Sequence, residues 1–168
     1  MLIPYSNIFA QEIDTDYWYK ISNVFLGDEY SLSVKDNDDH NPVMSPAANL
    51  QEQRWKFIKE HDNYYRIINE HVGEYRSLDN YLDGSNEPFL GKTGIFFAQF
   101  WLLTHIEKDS YKLTNSFLGK RTVLSINPKD KLLPIMEKLN NKKVQVWRIQ
   151  KIEPIHHQSE VPLINNSK

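Results

Sequence analysis

Two short segments contain residue types that bind phosphate or calcium in other proteins. The segment "GKTG" at 91–94 has the glycines and lysine of a phosphate-binding loop, in which backbone amides surround the phosphate groups. That loop needs a glycine five residues before Gly91, where this chain has Asn86. A phosphate-binding loop also leads into a helix, and no helical pattern follows this segment. We therefore predict that this segment binds no phosphate.

The acidic segment "KDNDDHN" at 35–41 is rich in the oxygen ligands that calcium prefers. A calcium loop of the EF-hand type starting at Asp36 would need glycine at position 41 and glutamate at position 47. The chain has Asn41 and Ala47 there. We predict a solvated hairpin loop, with incidental cation binding as the weaker alternative.

Other catalytic and metal-binding patterns are missing from the sequence. The chain has no cysteine, which excludes disulfides, thiolate catalysis and Cys-ligated zinc. His156 and His157 are adjacent, so on an extended tail they point to opposite sides and form a poor chelate. No Ser/His/Asp pattern occurs, and the isolated carboxylates leave paired Asp/Glu catalysis open without supporting it. We predict no catalytic residues, no metal site and no cofactor.

Length and charge restrict the class of protein. A chain of 168 residues is long enough for a single domain, 1–168, with a substantial core. Its formal net charge of −2 gives no electrostatic basis for binding nucleic acid. No stretch approaches the roughly 18 apolar residues of a membrane span.

The N-terminus "MLIPYSNIFAQEID" does not have the pattern of a signal peptide, so localisation is unknown and the cytoplasm is the default expectation. Asn165–Ser167 is a formal glycosylation sequon without an evident use in that setting.

A period of 46 residues runs through the chain without insertion or deletion. Seven columns are identical in all three copies: Tyr19/Tyr65/Tyr111, Asn23/Asn69/Asn115, Gly27/Gly73/Gly119, Leu32/Leu78/Leu124, Pro42/Pro88/Pro134, Gln53/Gln99/Gln145 and Trp55/Trp101/Trp147. Three repeats follow, at about 15–61, 62–107 and 108–153, with a short N-terminal segment and a C-terminal tail.

Each repeat has the pattern of four short strands. Runs such as "YWYKISN" and "NYYRIIN" alternate apolar and polar residues with the period of a half-buried strand. The shared glycine precedes the second run and suits a turn with positive φ. The shared proline begins the third run, where no ladder donor is lost. We predict an all-β fold in which three copies close around a threefold axis.

The fourth run of each repeat contains Gln-x-Trp: "QRWKFI", "QFWLLT" and "QVWRIQ". We predict that the Trp side chains supply the shared core. The Gln side chain would lie on the same face of the strand and hydrogen-bond backbone groups of a neighbouring turn.

Three repeats of this length, each ending in Gln-x-Trp, resemble the ricin B-type lectin family of β-trefoils. The resemblance covers about residues 15–153, and "RSLDNY" at 76–81 matches the family's common Leu-Asp segment. It implies a six-stranded barrel capped by three hairpins, with carbohydrate binding as the usual activity. Family members often carry paired cysteines in each repeat, so this chain would be a disulfide-free branch.

The resemblance also implies where a sugar would bind. The family's pocket has an Asp after the leucine of the second strand and an aromatic platform on the third strand. It also has an Asn or similar group beside Gln-x-Trp. The second repeat keeps the Asp, although Gly91 falls near the platform position and Ala98 precedes Gln99. The candidate carbohydrate-binding residues are Asp79, Asn80, Asn86, Phe89 and Lys92.

The other two repeats lack this set. The Asp position is Ser33 in the first repeat and Ser125 in the third, and the platform position holds Ser45 or Glu137. We therefore expect at most one altered sugar site. Within it, Asp79 has an alternative role as a brace for the adjacent turn. For Phe89, filling the core is the favoured interpretation.

The leading hypothesis is a non-catalytic, lectin-like protein whose partners are glycans or glycoconjugates. The alternative is a protein-interaction module, such as a β-trefoil inhibitor or toxin-accessory domain that has lost sugar binding. Its contact surfaces would be the loops "KDNDDHN" and "DGSNE". An enzyme is a distant third.

Overall fold

A computed structural model describes residues 12–35, 41–81, 83–127 and 129–156. The predictions for the loop 36–40, for His157 and for the sequon at 165–167 lie outside these residues. No helix in the described ranges is long and apolar enough to cross a bilayer.

The described residues form twelve strands, four in each repeat. The first repeat contains β1 (Tyr17–Asn23), β2 (Tyr30–Val34), β3 (Pro42–Pro46) and β4 (Trp55–His61). The second repeat contains β5 (Tyr64–Asn69), β6 (Arg76–Asn80), β7 (Pro88–Lys92) and β8 (Trp101–Glu107). The third repeat contains β9 (Ser110–Asn115), β10 (Thr122–Ile126), β11 (Pro134–Lys138) and β12 (Trp147–Pro154).

The first and fourth strands of the repeats close into one barrel, and the middle strands form three hairpins. The barrel order is β1-β12-β9-β8-β5-β4. The hairpins are β2-β3, β6-β7 and β10-β11, each antiparallel. This architecture is a β-trefoil, which confirms the predicted six-stranded barrel with three hairpins.

The three Trp side chains fill the centre of the core, as predicted. Trp55, Trp101 and Trp147 are fully buried. Each indole N–H donates to the carbonyl oxygen of the shared leucine on the second strand of its own repeat, at 2.8–2.9 Å. Burial of the large ring therefore leaves no unpaired donor.

The shared glycines and prolines occupy the predicted positions. Gly27, Gly73 and Gly119 have φ of 78°, 78° and 74°, a conformation that side-chain-bearing residues rarely adopt. The prolines Pro42, Pro88 and Pro134 begin β3, β7 and β11.

The Gln residues differ from the prediction, because they do not lie in strands. Each one ends a three-residue 3-10 helix, at Gln51–Gln53, Phe97–Gln99 or Lys143–Gln145, and the strand begins at the Trp. The tighter turn aims the Gln amide back at the loop that leaves the third strand. A spacing of two residues fits both a strand and this turn, so the pattern could not separate them.

Candidate functional site

Each Gln side chain sits in a socket of backbone groups, as the sequence predicted. Its Oε1 accepts a hydrogen bond from the amide five residues earlier, at 2.8–3.1 Å. Its Nε2 donates to the carbonyl oxygen seven residues earlier, at 2.8–2.9 Å. One amide proton of each Gln is left for a further acceptor.

That acceptor comes from a different strand in the second repeat. In the first and third repeats, Nε2 donates to Ser45 Oγ at 2.8 Å and to Glu137 Oε1 at 2.9 Å, both on the third strand. In the second repeat, Gln99 Nε2 donates to Asp79 Oδ2 on β6 at 2.8 Å. The position on β7 equivalent to Ser45 and Glu137 is Gly91.

Gly91 leaves the space that Asp79 and Phe89 occupy. A methyl group at position 91 would lie 2.6 Å from Asp79 Oδ2 and 3.1 Å from Phe89 Cε2. The φ of Gly91 is not positive, so the backbone conformation does not demand glycine here. The glycine is required by the side chains around it.

Asp79 and Phe89 lie on the same face of the hairpin. They are directly paired across β6 and β7, and cross-strand partners point to the same side of a sheet. The adjacent residues on the two strands, Leu78 and Leu90, point to the other face and are buried in the core. Phe89 is half-buried and stacks on Tyr81, with ring centroids 4.0 Å apart and 13° between the planes. The core-filling interpretation of Phe89 is therefore wrong, because Leu90 fills that role.

Asp79 is 8% exposed, and its two oxygens are held by neighbours. Oδ1 accepts from the Asn80 amide at 2.7 Å, and Oδ2 accepts from Gln99. Burial raises the pKa of Asp79 above its usual 3.8, and the bonds from Gln99 and Asn80 and the charge of Arg66 oppose that rise. Asp79 thus braces its local structure, as the alternative interpretation held, and it also borders the cavity described next.

A cavity of about 540 Å³ opens beside Asp79. This volume lies within the range of about 300–1,000 Å³ that is usual for small-molecule sites. Its floor, from β6 and β7 and the residue after β6, includes Asp79, Asn80, Tyr81, Phe89, Gly91 and Lys92. Its wall includes Ala98 and an apolar rim, the name used here for Ile95, Phe96, Phe97 and Phe117.

The structure brings four of the five predicted site residues to this cavity. Asp79, Asn80, Phe89 and Lys92 line it, whereas Asn86 does not. The Asn86 carbonyl oxygen instead accepts from the Met136 amide at 2.7 Å, which ties the second hairpin to the third repeat.

The Asn80 side chain is buried and hydrogen-bonds to the backbone of its own hairpin. It occupies the column of Val34 and Ile126, which are core residues. Its Nδ2 donates to the Tyr81 carbonyl oxygen at 2.7 Å, and its buried Oδ1 has no hydrogen-bond partner among the described residues.

The buried Arg66 side chain hydrogen-bonds to Gln99 and to the loop residue Gly94. Its Nη1 donates to Gln99 Oε1 at 2.8 Å and to the Gly94 carbonyl oxygen at 2.9 Å, and its Nε donates to Glu60 Oε1 at 2.6 Å. The guanidinium is buried, and it fixes the Gln99 amide with Nε2 toward Asp79. The first and third repeats have lysine in this column, at positions 20 and 112.

The sequence prediction did not include Arg66 or the apolar rim. The signal was available in the repeat columns, where Ile95 replaces Asn49 and Asn141, and Phe97 replaces Gln51 and Lys143. At both positions the other repeats have polar residues, whereas the second repeat has apolar ones.

The described residues contain no group of three or more His, Asp or Glu side chains placed to hold a metal ion. The cavity lining places a carboxylate and a lysine beside aromatic rings, an arrangement suited to binding by hydrogen bonds and stacking.

Comparison with solved structures finds β-trefoil proteins. The designed threefold-symmetric protein ThreeFoil matches with a TM-score of 0.70 and 20% identity, over 80% of this chain and 99% of ThreeFoil. A mosquitocidal holotoxin matches with a TM-score of 0.72 and 17% identity, over 84% of this chain and 18% of the toxin. A Polyporus squamosus lectin, bound to the epitope Neu5Aca2-6Galb1-4GlcNAc, matches with a TM-score of 0.67 and 17% identity, over 83% of this chain and 50% of the lectin.

These TM-scores establish a shared fold, which confirms the β-trefoil prediction drawn from the resemblance to the ricin B-type lectins. No protein-family model matches the sequence. The search of curated proteins found no match either.

Proposed function

We propose that this β-trefoil is a non-catalytic carbohydrate-binding protein with a single site in the second repeat. The observation that carries the proposal is the shared orientation of Asp79 and Phe89 toward one cavity, in the space left by Gly91.

The chemistry of the two groups is complementary to a pyranose. Each carboxylate oxygen of Asp79 accepts one protein hydrogen bond and has a further lone pair for a sugar hydroxyl. One face of the Phe89 ring stacks on Tyr81. The other face carries negative charge density and favours the weakly positive C–H face of a sugar. Lys92 is exposed at the edge and offers a donor to ring substituents.

The first and third repeats are not expected to bind in this way. Ser33 and Ser45 supply no carboxylate in the first repeat. In the third repeat, Glu137 Oε1 already accepts from Gln145 and, at 2.6 Å, from Ser125 Oγ. A single shallow site implies weak monovalent binding, which avidity from a fused or multimeric context would strengthen.

The lining argues against glycoside hydrolysis at this site. Most glycosidases place two carboxyl groups about 5–10 Å apart on either side of the scissile bond. Among the described lining residues, Asp79 is the one carboxylate.

The test is a glycan array, followed by titration of the glycans that bind. The control is the double variant Asp79→Ser/Gly91→Ser, which gives the second hairpin the residues of the first and restores an acceptor for Gln99. We expect the variant to fold and to lose binding by at least about tenfold in Kd. Absence of any glycan ligand, or equal binding by the double variant, would contradict the proposal.

A second candidate function is protein interaction, favoured by the exposed apolar rim. Aromatic residues are enriched at the centres of protein interfaces. A partner captured by the whole chain, released by no sugar and lost on Phe97→Gln, would favour this function over the first.

A further inference from the structure

We propose that the ligand of this site is a sugar that carries an apolar substituent, an alkyl or aryl aglycone, and that the apolar rim binds the substituent. The inference rests on the proposed carbohydrate-binding function and specifies its substrate class. The apolar rim is not part of the site that the resemblance to known lectins implied.

The fold does not require the rim to be apolar. All three repeats form the same 3-10 helix before the Trp. Where the second repeat has Ile95 and Phe97, the first has Asn49 and Gln51. The same turn therefore forms with polar residues at these two positions elsewhere in the chain, so its fold does not require Ile95 and Phe97.

The rim residues are exposed to solvent. Ile95 is 92% exposed, Phe96 56%, Phe97 67% and Phe117 51%. Contiguous apolar surface on a soluble domain commonly marks a binding site. The equivalent turn of the first repeat exposes a large apolar side chain at Leu50 alone among its described residues, at 52%.

Two glycines found in the second repeat alone shape the wall and the floor. Gly94 replaces Ala48 and Asn140, and a methyl group there would lie 2.4 Å from the Phe96 ring. Gly91 clears the space beside Asp79 in the same way. Gly91 borders the cavity directly, and Gly94 lies beside the ring of Phe96, which borders it as part of the rim.

The distribution of polar groups indicates the shape of the ligand. The polar groups that a ligand could reach, the remaining lone pairs of Asp79 and the Lys92 ammonium, belong to the hairpin floor, whereas the wall offers aromatic and aliphatic carbon. Hydroxyl groups facing that wall would lose hydrogen bonds to water without replacement. A ligand that is polar at one end and apolar at the other satisfies both sides.

The experiment compares matched pairs of methyl and phenyl hexopyranosides on the full chain. Binding is followed by amide chemical shifts of residues 91 and 92, with galactose, glucose, mannose and N-acetylglucosamine as the sugars. We expect a phenyl glycoside to bind roughly tenfold tighter than its methyl partner, because the ring buries apolar area against the rim.

The variant Ile95→Asn/Phe97→Gln transplants the residues of the first repeat onto the rim. It should remove the advantage of the phenyl glycoside and leave the Kd of the methyl glycoside unchanged. The matched control is Leu50→Lys, which removes an exposed apolar side chain from the equivalent turn of the first repeat and should change neither Kd.

The outcomes separate this inference from the function on which it rests. Equal Kd values for methyl and phenyl glycosides, both lost in Asp79→Ser/Gly91→Ser, would overturn the inference and retain the sugar site. Phenyl glycoside binding that survives the double variant would overturn the sugar site. Benzyl alcohol binding as tightly as the phenyl glycoside, or rim-dependent binding to phosphatidylcholine vesicles without sugar, would overturn the inference in favour of general apolar binding.

Discussion

Gly91 lies diagonally across the β6-β7 hairpin from Asp79, so close that a methyl group on it would reach to 2.6 Å from the Asp79 carboxylate. The other hairpins reverse this arrangement. They have serine at the Asp79 position, and Ser45 or Glu137 at the Gly91 position, where each accepts the bond from its Gln. The acceptor of the Gln hydrogen bond therefore lies on the third strand in the first and third repeats. In the second repeat it lies on the second strand, beside the cavity.

Gly91→Ala tests this exchange. The added methyl should push Asp79 off Gln99, lower the free energy of unfolding by about 1–3 kcal/mol and weaken glycan binding. Chemical denaturation and ligand titration measure the two effects. The same substitution in an Asp79→Ser background should cost much less, because the carboxylate is no longer in the way. Equal costs in both backgrounds would contradict the contact.

Asp79→Ser alone should destabilise the fold more than the double variant Asp79→Ser/Gly91→Ser. The single change leaves a buried Gln99 donor without its acceptor, at a cost of about 1 kcal/mol. Serine at position 91 restores the acceptor in the manner of Ser45. Urea unfolding of the two variants gives the comparison, and a double variant no more stable than the single one would be contrary to expectation.

Both binding and stability should depend on the raised pKa of Asp79. The ionised carboxylate accepts from sugar hydroxyls, so affinity should fall as pH decreases through that pKa, at a higher pH than for an ordinary Asp. The folded state also holds this proton more tightly than the unfolded state. Wild type should therefore lose stability relative to Asp79→Asn as pH rises from 3.8 to the raised value, and then level off. A difference that does not vary with pH would show that burial leaves this pKa unchanged.

Arg66→Lys should raise the pKa of Asp79 further. The positive charge of Arg66 lowers this pKa, and lysine in the same column of the first repeat reaches outward to the Asp28 carbonyl oxygen. The variant also releases Gln99 Oε1, so glycan affinity should decrease. Carboxyl titration by NMR measures the shift, and Lys20→Arg is the matched substitution that should leave Asp79 unaffected.

Asn115→Ala should destabilise the protein less than Asn23→Ala or Asn69→Ala. The Nδ2 groups of Asn23 and Asn69 donate to the carbonyl oxygens of Val144 and Glu52 at 2.9 Å. The Nδ2 of Asn115 is buried without a partner among the described residues. We expect a difference of about 1 kcal/mol in unfolding free energy. Equal losses from all three variants would imply that Asn115 Nδ2 has a hydrogen-bond partner, as the Nδ2 groups of Asn23 and Asn69 do.

The shared parts of the fold were predictable because each structural position occurs three times in the sequence, once in each repeat. The Trp core, the glycine turns and the proline strand starts all follow from identical columns. The orientation of Phe89 could also have been inferred from such a column. Its neighbour Leu90 aligns with Met44 and Met136, which marks position 90 as the core face and position 89 as the outer one.

The candidate site was less predictable because it consists of departures from the repeat. The family pattern identified Asp79, whereas Arg66 and Ile95 show in the sequence only as departures from their repeat columns. Asn86 was included through its proximity in sequence, and the hairpin turn carries it away from the cavity. The 46-residue period predicts the barrel and the hairpins that all repeats share. It does not predict which side chains of the second repeat contact one another, and the structure is needed for that.

Each Gln socket needs one acceptor and takes it from either of two strands. The fold therefore accommodates this acceptor on either the second or the third strand of a repeat. An acid can appear on one strand while its counterpart on the other shrinks to glycine, and the remaining two copies continue to hold the barrel. Duplication thus supplies redundancy, and redundancy permits one third of a symmetric protein to acquire a specialised surface.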